Sequence, residues 1–89
     1  MISPNTAEVR DSDSFGNLVQ FHRKKRGLTQ AQLAQLAGIG KTAVFDIENA
    51  TKQPRLSTIL AVLNVLNIKM LFDSPLMAAY LAGSSDAQG

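Results

Sequence analysis

Residues 41–46 (KTAVFD) carry hydrogen-bonding and apolar groups at a spacing that gathers them on one side of a helix. Lys41 and Thr42 are adjacent, and Phe45 and Asp46 follow one turn later, so the four side chains share a face. An ammonium group can donate to guanine O6 and N7, a hydroxyl can bond to several base edges, and a carboxylate can accept from cytosine N4. An aromatic ring can contact the thymine methyl group. The segment therefore predicts contact with base edges in the major groove of double-stranded DNA.

Each of these four residues also has a plainer interpretation. Lys41 and Thr42 could be ordinary solvent-exposed helix positions, although the motif around them favours base contact. Phe45 could equally be a partly buried aromatic residue. For Asp46 a solvated carboxylate is slightly favoured over a role in accepting from cytosine or excluding other bases.

Three further polar residues stand where a phosphate could bind. Gln30 begins the preceding helix, where free backbone N–H groups and the helix dipole favour an anion. Asn49 and Lys52 flank the loop after the segment and could hold the next phosphate. The alternative for each is local capping or solvation, and for Gln30 and Asn49 we favour the DNA contact.

A short turn between two helices would position these side chains. Residues 29–32 (TQAQ) form a capping box that begins a helix over 30–37. Gly38 ends that helix, because a sharp turn requires a positive φ. The next helix runs from about Lys41 to Asn49. A turn this short holds two helices at a steep angle and leaves the polar face of the second free to enter a groove about 12 Å wide.

The rest of the chain supplies two more helices and two tails. We expect a flexible arm over 1–13 and a folded domain over 14–73, with Ser14 capping a first helix over 15–26. A fourth helix over 57–66 precedes an alternating stretch, 68–72, that predicts a short β-strand. Residues 74–89 are expected to be a mainly flexible tail, with a weak helical turn over 76–82.

Composition excludes several classes of function. A chain of 89 residues holds one domain, and the absence of Cys together with a single His excludes thiol catalysis and gives no basis for a metal or cofactor. Apart from Asp46 and Glu48, which point to different faces of their helix, no carboxylate pair stands at catalytic spacing, so we do not expect an enzyme. No apolar run is long enough to cross a bilayer, and a cytoplasmic protein is expected.

The positive charge is concentrated in the middle of the chain. Residues 22–69 contain eight Lys or Arg and two acids, a net charge of +6, whereas each flank carries −2. This distribution suits a polyanionic partner, although a solvated basic surface would look the same.

The motif as a whole resembles the Xre/phage-repressor helix-turn-helix family. The matching residues are Leu28-Thr29-Gln30, Leu33-Ala34, Gly38-Ile39, Val44, Ile47-Glu48-Asn49, Pro54 and Leu56. The resemblance covers about residues 15–68 and implies an all-α, lambda-repressor-like domain that binds an operator as a dimer. It also implies that Arg23 and Glu48 form a buried ion pair between the first and third helices.

Two positions depart from the family pattern. Gly40 stands where Ser or Thr usually caps the recognition helix, so a side-chain phosphate contact is missing there; Gly as an N-cap costs only about a few tenths of a kcal/mol. Ala50 stands where Gly is common. The predicted DNA-contacting set is Gln30, Gly40, Lys41, Thr42, Phe45, Asp46, Asn49 and Lys52.

The end of the folded region predicts a homodimer. The fourth helix is apolar nearly all round, and the strand 68–72 has no second strand in the chain to pair with. The stretch Asn67–Asp73 resembles the HipB-like antitoxin branch of the family, in which such a strand pairs across the dimer. The predicted interface residues are Leu63, Leu66, Ile68, Met70 and Phe72.

The function expected from these features is a sequence-specific DNA-binding repressor. The resemblance to the HipB-like branch implies an antitoxin that represses its own operon, with a HipA-like kinase toxin as a further expected partner. The alternative is a protein–protein adaptor that uses the same fold without DNA. Leu36, on the outer side of the second helix, is a candidate partner contact or a scattered surface leucine.

Overall fold

The computed structural model describes residues 4–84, which form five helices. Over these residues no strand is present. The helices are α1 (Ser12–Lys25), α2 (Gln30–Ala37), α3 (Lys41–Asn49), α4 (Leu56–Val65) and α5 (Met77–Ser84). Helix α3 packs against both α1 and α2, and α2 also packs against α4. In the described range no helix has the length and apolar character to span a membrane.

Helix α1 begins earlier than the sequence suggests. The prediction that Ser14 is the N-cap is wrong, because Asp11 holds that position and its carboxylate accepts from the Ser14 backbone N–H at 2.8 Å. Ser14 instead occupies the third helical position, and its hydroxyl oxygen accepts from the Asp11 N–H at 3.4 Å. The hydrogen bond from Ser14 lowers the pKa of Asp11 below its usual value. The last two residues of the predicted arm over 1–13 therefore belong to α1.

The turn between α2 and α3 is formed as predicted. Thr29 caps α2 by accepting from the Gln32 N–H at 3.0 Å, and the Gln32 side chain accepts in return from the Thr29 N–H at 2.8 Å. Gly38 has φ +72°, the left-handed conformation that ends α2. Gly40 is the N-cap of α3 and offers no side-chain hydrogen bond. The two helices are thus joined by a turn of three residues.

One hydrophobic core is shared by helices α1 to α4. Its buried apolar residues come from α1, α2 and α3 and from the α4 segment: Val19, Leu33, Ala34, Val44, Ile47, Val62 and Leu66. Ile39 of the turn and Ile68 pack against the same core. The inner face of α3 is thereby fixed, and its outer face remains available.

The start of α1 lies unusually close to the end of α3. A Cβ atom added to Gly16 would sit 2.5 Å from the Ile47 carbonyl oxygen and 2.7 Å from that of Glu48. Both atoms belong to the backbone and cannot move without shifting a helix. Only glycine allows this approach, so Gly16 sets the spacing between α1 and α3.

Replacing Gly16 by alanine is expected to lower the free energy of unfolding by about 1–3 kcal/mol, because the methyl group overfills the contact between α1 and α3. Urea unfolding followed by circular dichroism measures the change. Gly83→Ala is the matched control, since nothing lies within 4 Å of its Cβ position in α5. Equal stabilities for the two variants would show that the helices are less closely packed than described.

The C-terminal part departs from the prediction in two respects. Residues 68–72 carry no regular secondary structure, because a single chain offers no partner strand for a ladder. In place of the weak helical turn expected over 76–82, a regular helix, α5, lies within the predicted tail, and the part of that tail over 85–89 falls outside the described residues. Asn67, with φ +59°, ends the α4 region in the left-handed conformation.

Two predicted dimer contacts are buried within the single chain. Leu63 and Leu66 are 4% and 0% exposed, so both pack inside their own protomer. Among the large apolar side chains of α4, Leu56 and Leu60 face solvent and stand one turn apart on a common face. The rest of the chain covers more of α4 than its composition suggests.

Candidate nucleic-acid interface

Four of the predicted DNA-contacting residues meet around one open depression. Gln30 at the start of α2 and Lys41, Thr42 and Phe45 of α3 line a volume of about 410 Å³. The turn at Gly38 brings the N-terminal ends of the two helices together there. The surface therefore combines an ammonium group, a hydroxyl, an amide and an aromatic ring.

The exposed face of α3 is the one that the spacing of its residues predicts. Lys41 and Thr42 are exposed, and Phe45 leaves 48% of its surface in solvent. Val44 and Ile47, on the inner face of the same helix, are 0% and 3% exposed. An exposed aromatic ring beside a cation gives this face both apolar and hydrogen-bonding contacts for base edges.

Two other residues of the predicted set shape the loop that follows α3. Thr51 donates from its hydroxyl to the Asp46 carboxylate at 2.6 Å, and Asn49 donates from its side-chain nitrogen to the Phe45 carbonyl oxygen at 2.9 Å. Ala50 takes φ +54°, a conformation that favours glycine. The Asp46 and Asn49 side chains thus stabilise the end of α3 by local bonds. This is the plainer interpretation given for Asn49, whereas the one given for Asp46 was a solvated carboxylate.

Lys52 lies apart from the depression. It lines a separate, mainly apolar groove of about 280 Å³ that also contacts Val9, Phe15, Ile47 and Pro54. Its side chain is exposed, so the ammonium group remains free to meet a phosphate beside the loop. The predicted set therefore divides into a central cluster around α3 and a flanking cation.

The ion pair implied by the family resemblance is present and buried. Arg23 donates to the Glu48 carboxylate twice, from Nε at 2.6 Å and from Nη2 at 3.0 Å, and from Nη1 to the Leu28 carbonyl oxygen at 2.8 Å. The two side chains are 10% and 0% exposed. Hydrogen bonding to Glu48 raises the pKa of Arg23. The pair joins α1 to α3 behind the depression.

Sequence reasoning missed the link between this pair and the surface. The Gln30 side-chain nitrogen donates to Glu48 Oε1 at 3.1 Å, so one carboxylate serves both the core and a surface residue. Gln30 and Glu48 are 18 positions apart, and no local pattern signals such a contact. The family resemblance implied the ion pair but not the hydrogen bond that Gln30 donates to it.

A second surface is apolar and lies toward the C-terminus. Leu71, Phe72 and Leu76 are each 73–75% exposed, and Tyr80 and Leu81 of α5 are 66% and 62% exposed. Among residues 70–84 the one charged side chain is Asp73. Of the predicted interface, Phe72 is exposed, whereas Ile68 and Met70 are half-buried. Patches of this kind on a soluble domain mark an interaction site.

Comparison with sequence families and relatives agrees with the geometry of α2 and α3. A family model described as helix-turn-helix, HTH_3, matches residues 21–72. The immunity repressor protein of Bacillus phage phi105 is 40% identical over 57 residues, which are 64% of this chain and 40% of the relative. The chain thus spans less than half the length of that protein.

Solved structures share the fold. The restriction-modification controller protein C.AhdI from Aeromonas hydrophila is 30% identical, with a TM-score of 0.63 over 66% of this chain and 89% of that one. The P22 c2 repressor bound to a synthetic operator is 25% identical, with a TM-score of 0.59 over 62% and 83%. A chain of the HipA-HipB-O2-O3 complex is 23% identical, with a TM-score of 0.70 over 79% and 99%.

Proposed function

Because this chain belongs to the helix-turn-helix family HTH_3, we propose that it is a sequence-specific DNA-binding repressor that acts on operator DNA in the cytoplasm. The observation that carries the proposal is the cluster of Gln30, Lys41, Thr42 and Phe45 around one depression at the exposed face of α3. The 40% identity to a phage immunity repressor supports repression as the outcome of binding.

In this proposal α3 enters the major groove with its N-terminal end foremost. Lys41 donates to guanine, Thr42 contacts a neighbouring base, and Phe45 packs on a thymine methyl group. The N-terminus of α2 and Lys52 hold phosphates on either side, which fixes the register of α3 along the groove. Electrostatic attraction from the central basic region brings the duplex to this face.

We further propose that the repressor is a homodimer. A twofold pair of α3 helices can read two half-sites about one helical turn apart. The surface available for pairing is the C-terminal apolar one, which includes Leu71, Phe72 and Leu76. The Ile68 backbone N–H donates to the Leu63 carbonyl oxygen at 2.9 Å, and two copies could pair the backbone of the residues that follow, 69–72, in an antiparallel ribbon.

A finer proposal is that the chain is an antitoxin. The fold it shares with a chain of the HipA-HipB-O2-O3 complex supports a kinase toxin of the HipA type as a second partner. Leu36, 62% exposed on α2, offers a contact for such a partner outside the depression. Copurification with the product of an adjacent kinase-like gene tests this proposal. An adaptor without DNA binding is the rival function.

Replacing Lys41 by alanine is expected to weaken operator binding by about 1–3 kcal/mol and to relax the preference at one base pair of each half-site. The reason is the loss of an ammonium donor to guanine. Selection of duplexes from a random library identifies the operator, and fluorescence anisotropy measures both effects.

Lys24→Ala provides the control, since Lys24 lies in the last turn of α1 and carries the same charge. That variant is expected to keep the base preference of the parent. A Lys41→Ala variant that binds operator and random DNA as the parent does would show that α3 is not the recognition helix.

A further inference from the structure

Phe45 is the large apolar side chain that α3 leaves exposed. Its ring has 48% of its surface in solvent, whereas Val44 and Ile47 of the same helix are buried. The ring lines the open depression at the start of α3, beside Lys41 and Thr42. In the proposed complex this face meets base edges, so the ring leaves water only if it finds an apolar group on those edges.

The apolar group that base edges present in the major groove is a methyl group. Guanine, adenine and cytosine offer hydrogen-bond donors and acceptors there, and thymine adds a methyl group at C5. A cytosine that is methylated at C5 carries the same group at the same place on the pyrimidine ring. Because apolar contact is non-directional, the Phe45 ring responds to the methyl group and not to the base that carries it.

The side chains beside the ring suit a methylated cytosine paired with guanine. Lys41 stands four positions before Phe45, so its ammonium group and the ring lie one turn apart on the same face. Guanine, the partner of cytosine, offers O6 and N7 to such a donor. The Thr42 hydroxyl both donates and accepts, so it can meet the N4 amine of cytosine as well as O4 of thymine. One base pair or two adjacent ones can therefore satisfy the whole cluster.

We propose that Phe45 makes operator binding sensitive to DNA methylation, because its ring contacts the C5 methyl group of 5-methylcytosine as it does that of thymine. The ligand of this part of α3 is a duplex with a C5-methylated pyrimidine at one position of each half-site. Methylation of a cytosine at that position strengthens binding. This inference rests on the proposed DNA-binding function.

A set of duplexes that differ in one base pair tests the proposal. The position is the pyrimidine of the selected operator for which Phe45→Ala loses its preference in selection from a random library. The pairs placed there are thymine·adenine, uracil·adenine, 5-methylcytosine·guanine and cytosine·guanine, and fluorescence anisotropy gives each dissociation constant. Loss of the methyl group is expected to weaken binding about fourfold, both from thymine to uracil and from 5-methylcytosine to cytosine, which is the effect of returning one apolar carbon to water.

Variants then identify the side chain that contacts the methyl group. In Phe45→Ala both ratios of dissociation constants are expected to fall to about one, because the apolar carbon has lost its partner. Phe45→Leu keeps an apolar side chain and should retain both ratios above one. Thr42→Ser is the matched control, since it removes the other methyl group beside the ring and keeps the hydroxyl; it should leave both ratios unchanged. A methyl group placed between the half-sites should have no effect in any variant.

The outcomes separate this inference from the proposed function. Equal affinity for 5-methylcytosine and cytosine in the parent would overturn the inference, as would ratios that Phe45→Ala leaves unchanged. A selection in which Phe45→Ala loses no base preference would overturn it as well. Each of these results leaves the DNA-binding function standing as long as the parent binds its operator more tightly than a scrambled duplex. A parent that shows no such preference overturns the function and the inference together.

Discussion

Glu48→Ala is expected to lower the free energy of unfolding by about 3–5 kcal/mol. The substitution leaves the Arg23 guanidinium buried between α1 and α3 without its counter-charge, and it removes the acceptor for Gln30 as well. The largest part of the loss is the cost of a buried, unpaired charge. Thermal and urea unfolding followed by circular dichroism measure it.

The second ion pair in the described range supplies the control. Arg10 and Glu8 lie 2.8 Å apart, but their side chains are 82% and 56% exposed. Pairs of that kind contribute about 0–1 kcal/mol, so Glu8→Ala should leave stability nearly unchanged. If Glu48→Ala behaves as Glu8→Ala does, then the buried network does not join the helices as described.

Phe72→Asp is expected to convert the proposed homodimer into a monomer and to weaken operator binding about 100- to 10,000-fold. Phe72 is 75% exposed in one protomer, so an aspartate there does not disturb the core. Across a twofold axis the substitution brings two like charges into an apolar contact. Loss of the second half-site removes the gain from bivalent binding, which is commonly of this size. Light scattering and anisotropy measure the two effects.

Phe21→Asp is the matched control for this variant. Phe21 is an exposed phenylalanine of α1, and the substitution adds the same charge away from the C-terminal surface. It should remain a dimer and bind the operator within a few-fold of the parent. A Phe72→Asp protein that is still dimeric would place the interface elsewhere, and a parent that is monomeric at micromolar concentration would contradict the dimer itself.

The helix-turn-helix unit could be predicted from sequence because local chemistry determines it. Thr29 and Gln32 cap α2 through bonds within four residues, and Gly38 supplies the positive φ that the turn requires. The spacing of Val44 and Ile47 then fixes which face of α3 is buried. The exposed face, with Lys41 and Thr42, follows directly from the same periodicity.

Features that depend on contacts between distant segments were not predictable in the same way. Gly16 looks like a weak point within a helix, and only the approach of the α3 carbonyl oxygens explains it. The bond from Gln30 to Glu48 spans two helices and has no local signature. The burial of Leu63 and Leu66 depends on how closely the other helices surround α4, which apolar composition alone does not reveal.

The strand at 68–72 illustrates a different difficulty. Alternation of apolar residues indicates an extended segment, but a strand exists only when a second one pairs with it. The residues that such a pairing would use, Leu71 and Phe72 above all, are exposed in the single chain. The sequence pattern therefore indicates that 68–72 can form a strand when a second copy of the chain pairs with it.

Salt-dependent binding to a selected duplex tests the central claim most directly. The measurement is the dissociation constant for the operator and for a scrambled duplex of the same length, between about 50 and 200 mM salt, a range over which phosphate contacts weaken strongly. We expect the logarithm of the association constant to fall linearly with the logarithm of the salt concentration, with a slope of about −0.9 for each phosphate neutralised. The operator should bind more tightly than the scrambled duplex throughout. Weak binding that is the same for both duplexes and insensitive to salt would contradict the claim that this chain is a DNA-binding repressor.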